Sequence, residues 1–304
     1  MILKKHIFFT VLLGLLFMAS ADCGADVLYV HNYRVEEYVI GEKRSQVFIA
    51  YSPSSMMMDK ETGYTSSWMK RLFGKVKTER HSTRFMLNKD RIEEVDWYNE
   101  KVLILPFERI TDTGWIKQMD EQSAAVQDIL KNRYKVKEPV LSIRVTPEKI
   151  RIGAWTCVKV VADLRLETLD MKKHAKSITL VSQQLWVSET IKGYDQYRLF
   201  YENLETKTGI AAQRLKGLSF LLKYWQGSLD PIKESLAKVK GYPVKNKMVV
   251  TARYISHLNT DSPRTVTKII KQEEMELKEI KMDDFDKTRF EVPKEFKQNF
   301  IEKK

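Results

Sequence analysis

The segment of residues 84–107, RFMLNKDRIEEVDWYNEKVLILPF, limits what this chain can fold into more than any other part. Its polar residues at 88–90 and 98–101 have the composition of tight turns between apolar stretches. The run VLILPF at 102–107 is apolar at every position, so a strand there needs cover on both of its faces. The segment therefore predicts consecutive antiparallel strands, with the core of a sheet on one side and a helix or a bound lipophile on the other.

The rest of the chain shows more strand patterns and two helical ones. Short apolar or alternating runs typical of strands occur at 26–38, 44–51, 75–87, 139–169, 178–188, 247–257 and 265–280. Two longer runs, near 112–134 and 206–240, repeat apolar residues at three- and four-residue steps, as amphipathic helices do. Residues 52–74 are predicted to be irregular, with the three methionines at 56–58 in a loop. Many strands with two helical excursions predict an α+β fold, in which helices lie on one side of an antiparallel sheet.

The first 21 residues have the three parts of a secretory signal peptide. A basic start at 4–6 precedes an apolar run at 7–17 and the sequence ASA at 19–21. The apolar run is too short to span a bilayer, so a membrane anchor is the less favoured alternative. We predict cleavage after Ala21 and export to a periplasm. Asp22, rather than a small residue, precedes Cys23, which makes lipidation of Cys23 a minor alternative.

The exported part, residues 22–304, is long enough for one large β domain or two smaller ones, and we predict one. The chain has 52 Lys and Arg against 40 Asp and Glu, a formal net charge of +12, spread along its length. For an exported protein, this charge favours anionic envelope surfaces over nucleic acid as partners. Solubility charge without a particular partner remains equally open.

The chain has two cysteines, Cys23 and Cys157. In an exported protein such a pair can form one disulfide, which would tie the N-terminal tail to a central strand. The alternative is two separate thiols, with Cys157 buried.

Catalytic and metal-binding motifs are missing from the sequence. It contains no G-x-S-x-G, no H-E-x-x-H, no phosphate-binding loop and no C-x-x-C, and its histidines have no ligand spacing to one another or to the cysteines. We therefore predict that the protein is not an enzyme and has no metal and no cofactor.

Several motifs, in a fixed order from about residue 75 to the C-terminus, carry a family resemblance. They are FMLNKDRIE with Arg91, KVLILPF, an amphipathic helix, GAWTCVK at 153–159, LWVS at 185–188, GYPV at 241–244 and FEVPKEF at 290–296. In this order they resemble the exported branch of the LolA/LppX-like superfamily, which has the lipoprotein-carrier fold.

The resemblance implies an unclosed antiparallel β half-barrel, with helices on its concave face and a lipophilic cavity between them. Members of the superfamily carry lipids or acyl chains across the periplasm, and in the lipoprotein carrier a strand arginine latches the helical lid. Arg91 is the corresponding candidate here. The insertion at 206–240 is longer than in the family pattern, so a cavity filled by this insertion is the open alternative.

The first hypothesis is thus a periplasmic carrier for a lipophilic ligand, such as an anionic lipid or an acyl chain, with peripheral membrane contact. The predicted cavity residues are Trp115, Ile116, Leu218, Leu221, Leu222 and Trp225. The second hypothesis is a structural or accessory envelope protein that binds a protein partner and has a filled interior. A hydrolase, the third, would need a polar cleft with converging titratable groups.

Overall fold

A computed structural model gives the fold of the chain. It describes residues 26–38, 41–64, 79–108, 133–208, 218, 234, 237–258, 262–283 and 285–300. The predicted signal peptide at 1–21 lies outside this part, and both its presence and its cleavage after Ala21 stay predictions.

The described residues form one large sheet. Its strands are β1 Val27–Glu37, β2 Gly41–Ser52, β3 Ser55–Tyr64, β4 Glu79–Met86, β5 Arg91–Asp96, β6 Lys101–Pro106, β7 Tyr134–Val136, β8 Val140–Ile152, β9 Trp155–Asp170, β10 Ala175–Ser188, β11 Tyr242–Ser256, β12 Arg264–Met282 and β13 Lys297–Phe300. A single α-helix with defined ends occurs in this part of the chain, α1 Tyr194–Thr208, together with short 3₁₀ turns at Leu87–Lys89 and Lys287–Phe290.

The strand order is β13-β6-β5-β4-β3-β2-β1-β12-β11-β10-β9-β7, and β8 also pairs with β9. Neighbouring strands are antiparallel, except that β13 runs parallel to β6. The sheet is open: β13 lies at one edge, and β7 and β8 lie at the other. Strand β1, at the centre, pairs along its full length with both β2 and β12.

The predicted α+β fold, a half-barrel with helices packed on its concave face, is wrong. The described chain is nearly all-β, because one sheet of long strands contains most of it and one helix accompanies it. One error lies at residues 52–74, which the sequence predicts to be irregular: the methionines at 56–58 lie in β3. The predicted helices at 112–134 and 206–240 lie mostly outside the described residues.

Helix α1 packs on one face of the sheet, which we call the helix face. Tyr197, Phe200, Tyr201 and Leu204 recur at three- and four-residue steps and are all buried. They form one apolar cluster, the first cluster, with the following buried residues of the sheet and its turns: Val27, Tyr29, Tyr51, Met56, Leu87, Ile92, Phe107, Cys157, Ile191, Tyr242, Val244 and Leu277.

A second cluster lies under Leu218 and Val239. Its buried members are Val160, Ala162, Leu164, Val181, Leu185, Val187, Leu218, Met248 and Val250. Met248 stands opposite Glu273 in β12, and alternation along β12 places Glu273 on the same face as Leu277 of the first cluster. Both clusters therefore lie on the helix face, where buried polar side chains such as His31 and Glu273 accompany them.

The C-terminal segment covers the opposite face at the β13 end of the sheet. Phe290 packs with Leu28, Val30, Ala50 and Met57, and Phe296 packs with Val95, Val102 and Ile104. The apolar run at 102–107 has cover on both faces: Ile104 packs with Phe296 on one, while on the other Phe107 is a buried member of the first cluster and Leu105 packs against it.

A buried carboxylate fastens this segment to the sheet. Asp59 is fully buried and accepts hydrogen bonds from Arg80 Nε at 3.0 Å and from Ser82 Oγ at 2.8 Å. Arg289 Nε, in the C-terminal segment, lies 2.7 Å from the other Asp59 oxygen. One Asp59 side chain therefore joins two strands to the segment that covers them.

Candidate functional site on the helix face

An aromatic cluster occupies the space between α1 and the sheet. Tyr29 stacks on Tyr242 with ring centroids 3.9 Å apart, and Tyr51 contacts Tyr197 edge to face at 5.4 Å. Phe200 has no exposed surface. Because these rings fill the interface, the described part of the helix–sheet interior is packed rather than hollow.

A buried histidine lies at the edge of the aromatic cluster. His31 has no exposed surface, and its Nε2 is 2.6 Å from the hydroxyl of Tyr242. The other ring nitrogen, Nδ1, has no hydrogen-bond partner among the described residues. Burial lowers the pKa of His31 to about 3, so the ring is neutral in the folded protein at neutral pH.

The tyrosines of the cluster are held in their neutral form. Burial raises the pKa of Tyr29, Tyr51, Tyr197 and Tyr242 well above the ordinary value, and it raises the pKa of Tyr201 to about 12. Tyr29 donates its hydroxyl hydrogen to the carbonyl oxygen of Lys192 at 3.1 Å. The arrangement provides polar tips inside an apolar site, but it does not provide a base with a pKa near neutrality.

Both ends of α1 are fixed to the sheet. At its start, Gly193 has φ +78°, and an added Cβ would collide with Val27 of β1. At its end, Lys207 Nζ lies 2.7 Å from Asp90 Oδ1 and donates to the carbonyl oxygen of Leu87. Asn203 also donates to the carbonyl oxygen of Pro53 at 2.9 Å. Close approach at one end and polar contacts at the other set the position of the helix.

Of the predicted cavity residues, one is described. Leu218 is buried, with 2% of its surface exposed, in the second cluster on the helix face. The remaining predicted cavity residues, Trp115, Ile116, Leu221, Leu222 and Trp225, lie outside the described residues. The structure therefore places Leu218 against the sheet and leaves the lining role of the others as a prediction.

Arg91, the latch candidate, lies on the opposite face. Its Nη2 donates to Glu93 Oε1 at 2.5 Å, and Glu93 also accepts from Arg84 at 2.9 Å. Ile92 belongs to the first cluster, so alternation turns Arg91 and Glu93 away from α1. Among the described residues, it is the neighbouring Asp90 that contacts α1, through Lys207. The latch role of Arg91 stays a prediction.

Cys157 is buried in the first cluster and has no disulfide partner among the described residues. Burial raises its pKa to about 11, so the thiol is protonated at neutral pH and is a poor nucleophile. Cys23 lies outside the described residues, and the Cys23–Cys157 disulfide stays a prediction.

Two surface grooves have mixed linings of charged, polar and apolar side chains. One, of about 550 Å3, lies over β4, β5 and β6 and is lined by residues that include His81, Glu94, Asp96, Lys101 and Leu103. The other, of about 340 Å3, crosses β1, β12, β11 and β10 and includes Arg34, Gln184, Lys247, Gln272 and Glu274.

No group of metal-ligating side chains occurs in the described part of the chain. Within the same part, no helix is long and apolar enough to cross a membrane.

Sequence reasoning missed α1 and, with it, the aromatic cluster. The signal is present in YDQYRLFYENL, where the apolar rings and Leu204 fall at 197, 200, 201 and 204. It also missed His31, which stands alone in the sequence and gains its partner Tyr242 from the fold.

Comparison with known proteins adds no relative. No protein-family model matches the chain, and no curated protein matches it.

Proposed function

We propose that this protein is an exported, non-enzymatic binding protein that carries a lipophilic ligand, such as a lipid or an acyl chain, on the helix face of its sheet. The observation that carries the proposal is the extent of that face. Two apolar clusters run across the sheet from β6 to β9, and Leu218, from the predicted apolar stripe, packs on the second. Binding would come from burial of apolar surface, at about 25 cal/mol per Å2 removed from water.

The second cluster is where we place the ligand. The described members of the first cluster include the rings of α1, whereas the buried members of the second are aliphatic apart from Met248. A ligand that lay beside Leu218 would contact Ala162 and the valines around it. Apolar contact with these side chains is the source of binding that we propose.

The test uses the purified full chain, a neutral fluorescent lipid probe and mass spectrometry of organic extracts. We expect saturable probe binding and a co-purifying lipophile. Leu218→Ala should weaken probe binding about tenfold or more, because it removes apolar contact at the proposed site. The matched control is Ile104→Ala, which truncates an equally buried residue on the opposite face and should leave probe affinity unchanged.

A second candidate function is an accessory envelope protein that binds a protein partner. The packed interface of α1 favours it, since Phe200 and Leu204 have no exposed surface. If the folded chain binds no probe and no lipophile co-purifies with it, the carrier function is rejected and the accessory function is favoured.

A further inference from the structure

The end of the sheet formed by the β9–β10 and β11–β12 hairpins makes a continuous rim. We call it the basic rim and define it as residues 133–138, 170–176, 253–258 and 264–270. Backbone hydrogen bonds join its parts: Met171 N donates to Arg133 O at 2.8 Å, and Leu258 N donates to His174 O at 3.0 Å. Beside it, Tyr38 N donates to Ile270 O at 3.1 Å. The tip of the β9–β10 hairpin is therefore a neighbour in space of the adjoining ends of β7 and β11.

Apolar side chains on this rim are exposed to solvent. Met171 is 50% exposed, Ile269 is 49% exposed and Tyr254 is 43% exposed, while Leu258 and Val266 are each 38% exposed. All seven residues from Arg264 to Ile270 are exposed. Single exposed apolar residues are ordinary on a soluble protein, but several on adjoining hairpin tips mark an interaction surface.

The rim also carries unneutralised positive charge. Glu167 is paired with Lys137 at 2.5 Å, Arg165 at 2.9 Å and Lys176 at 3.1 Å, and Asp170 is paired with Arg133 at 3.0 Å. These ion pairs neutralise the two buried carboxylates, and the rim has further basic side chains besides those in the pairs.

No ion pair within the described part of the chain uses the following rim residues: Lys135, Lys172, Lys173, Arg253 and Arg264. The lysines at 172 and 173 stand next to exposed Met171 in the tip of the β9–β10 hairpin. On the rim itself, exposed Glu138 adds one further carboxylate. The rim is therefore positive wherever its apolar side chains are exposed.

From this geometry we infer that the basic rim docks on the surface of an anionic lipid bilayer, with its apolar side chains at the boundary between headgroups and acyl chains. Amphipathic surfaces that combine exposed apolar groups with lysines bind anionic interfaces in this way. The inference goes beyond the proposed carrier function and does not depend on it.

The placement of the apolar residues favours a bilayer over an acidic protein. Val266 and Ile269 are three residues apart in β12 and stand opposite Tyr254 and Thr251, so they lie on opposite faces of the sheet. A protein partner would cover one face of such a hairpin. A bilayer surrounds an inserted tip from all sides, and so it can bury apolar groups on both faces at once.

The experiment is sedimentation of the full chain with vesicles of phosphatidylglycerol and phosphatidylcholine, against vesicles of phosphatidylcholine alone. We expect binding to the anionic vesicles only and weaker binding as salt rises, since exposed charges are screened over about 10 Å at 0.1 M salt. Lys172→Gln with Lys173→Gln should weaken partitioning about 30-fold, at about fivefold per lysine near an anionic surface. Met171→Ser with Leu258→Ser should weaken it about tenfold.

The matched control is Lys294→Gln with Lys297→Gln, which removes the same charge from exposed residues of the C-terminal segment. It should lower binding less than threefold, because only the overall charge changes. Three results would each overturn the inference: no binding to anionic vesicles at low salt, an equal loss in the control variant, or unchanged binding by the Met171 and Leu258 variant. Thermal unfolding of each variant checks that the exposed substitutions leave the fold intact.

Discussion

His31 should make the stability of this protein depend on pH in a window where few other groups titrate. Its pKa is about 3 in the folded protein because the ring is buried, against an ordinary value of 6.5. Between these values the unfolded chain binds a proton on His31 and the folded chain does not, so stability falls as pH falls. The slope reaches about 1.36 kcal/mol per pH unit below pH 6.5, and integrated from pH 7.5 to pH 5 it gives about 2 kcal/mol.

The assay is urea unfolding at half-unit steps from pH 7.5 to pH 5, with the free energy of unfolding plotted against pH. His31→Gln should be less stable than the parent at pH 7.5, because it loses the ring that packs beside Tyr242. Its curve should nevertheless be flatter by about 2 kcal/mol over the window, since Gln does not titrate. His81→Gln, at an exposed position of β4, is the matched control and should keep the parent's slope.

The same slope in His31→Gln and in the parent would refute the argument, because it would mean that another group causes the loss. Tyr242→Phe offers a second check in case His31→Gln does not fold. It keeps the aromatic packing and removes the hydroxyl that lies 2.6 Å from Nε2, so it should retain the pH slope while losing about 1 kcal/mol of stability at neutral pH.

Three more outcomes follow from buried contacts. Asp59→Ala should lower the free energy of unfolding in urea by about 3–5 kcal/mol, because Arg80 and Arg289 lose the buried carboxylate that they share. A decrease below 1 kcal/mol would contradict the argument that Asp59 fastens the C-terminal segment to the sheet. Gly193→Ala should lower stability by about 2 kcal/mol or more, since φ is +78° and the added methyl meets β1; an unchanged thermal midpoint would argue against the close approach. Cys157 should react slowly with a thiol reagent in the native state and rapidly in urea; equally fast labelling of the native chain would show that the thiol is accessible.

The strands were the predictable part of the fold, because their signal is local. Alternation at 26–38 and 178–188 predicts β1 and β10, and the turns around 88–90 and 98–101 predict the β4-β5-β6 meander. The order of strands was not predictable, since β1 at the centre pairs with β12, more than two hundred residues later. No local pattern in either strand specifies the other.

Helix α1 and the aromatic cluster were not predicted from the sequence, and the reason is different. Tyr and Phe favour strands by propensity, so the run at 194–208 carries a helical spacing in residues with a strand preference. Packing against Tyr51 and Tyr242 decides the conflict in favour of the helix, and that information lies elsewhere in the chain. The predicted fold class is wrong because one sheet of thirteen strands contains most of the described chain and a single described helix, α1, accompanies it.

The two clusters on the helix face differ in how they can respond to a ligand. The first is held by α1, whose start approaches β1 closely at Gly193 and whose end pairs with Asp90, so opening it would break both ends of the helix at once. Beside the second cluster, on the same face, lie the buried amide pair of Gln183 and Asn246, joined at 2.8 Å, and the buried side chain of Glu273. Removing the hydrogen bond of a buried amide pair costs free energy unless a ligand's ester or amide group replaces that bond. Under the proposed function, an acyl chain with a polar linkage would contact the apolar side chains of the second cluster and exchange hydrogen bonds with the amide pair.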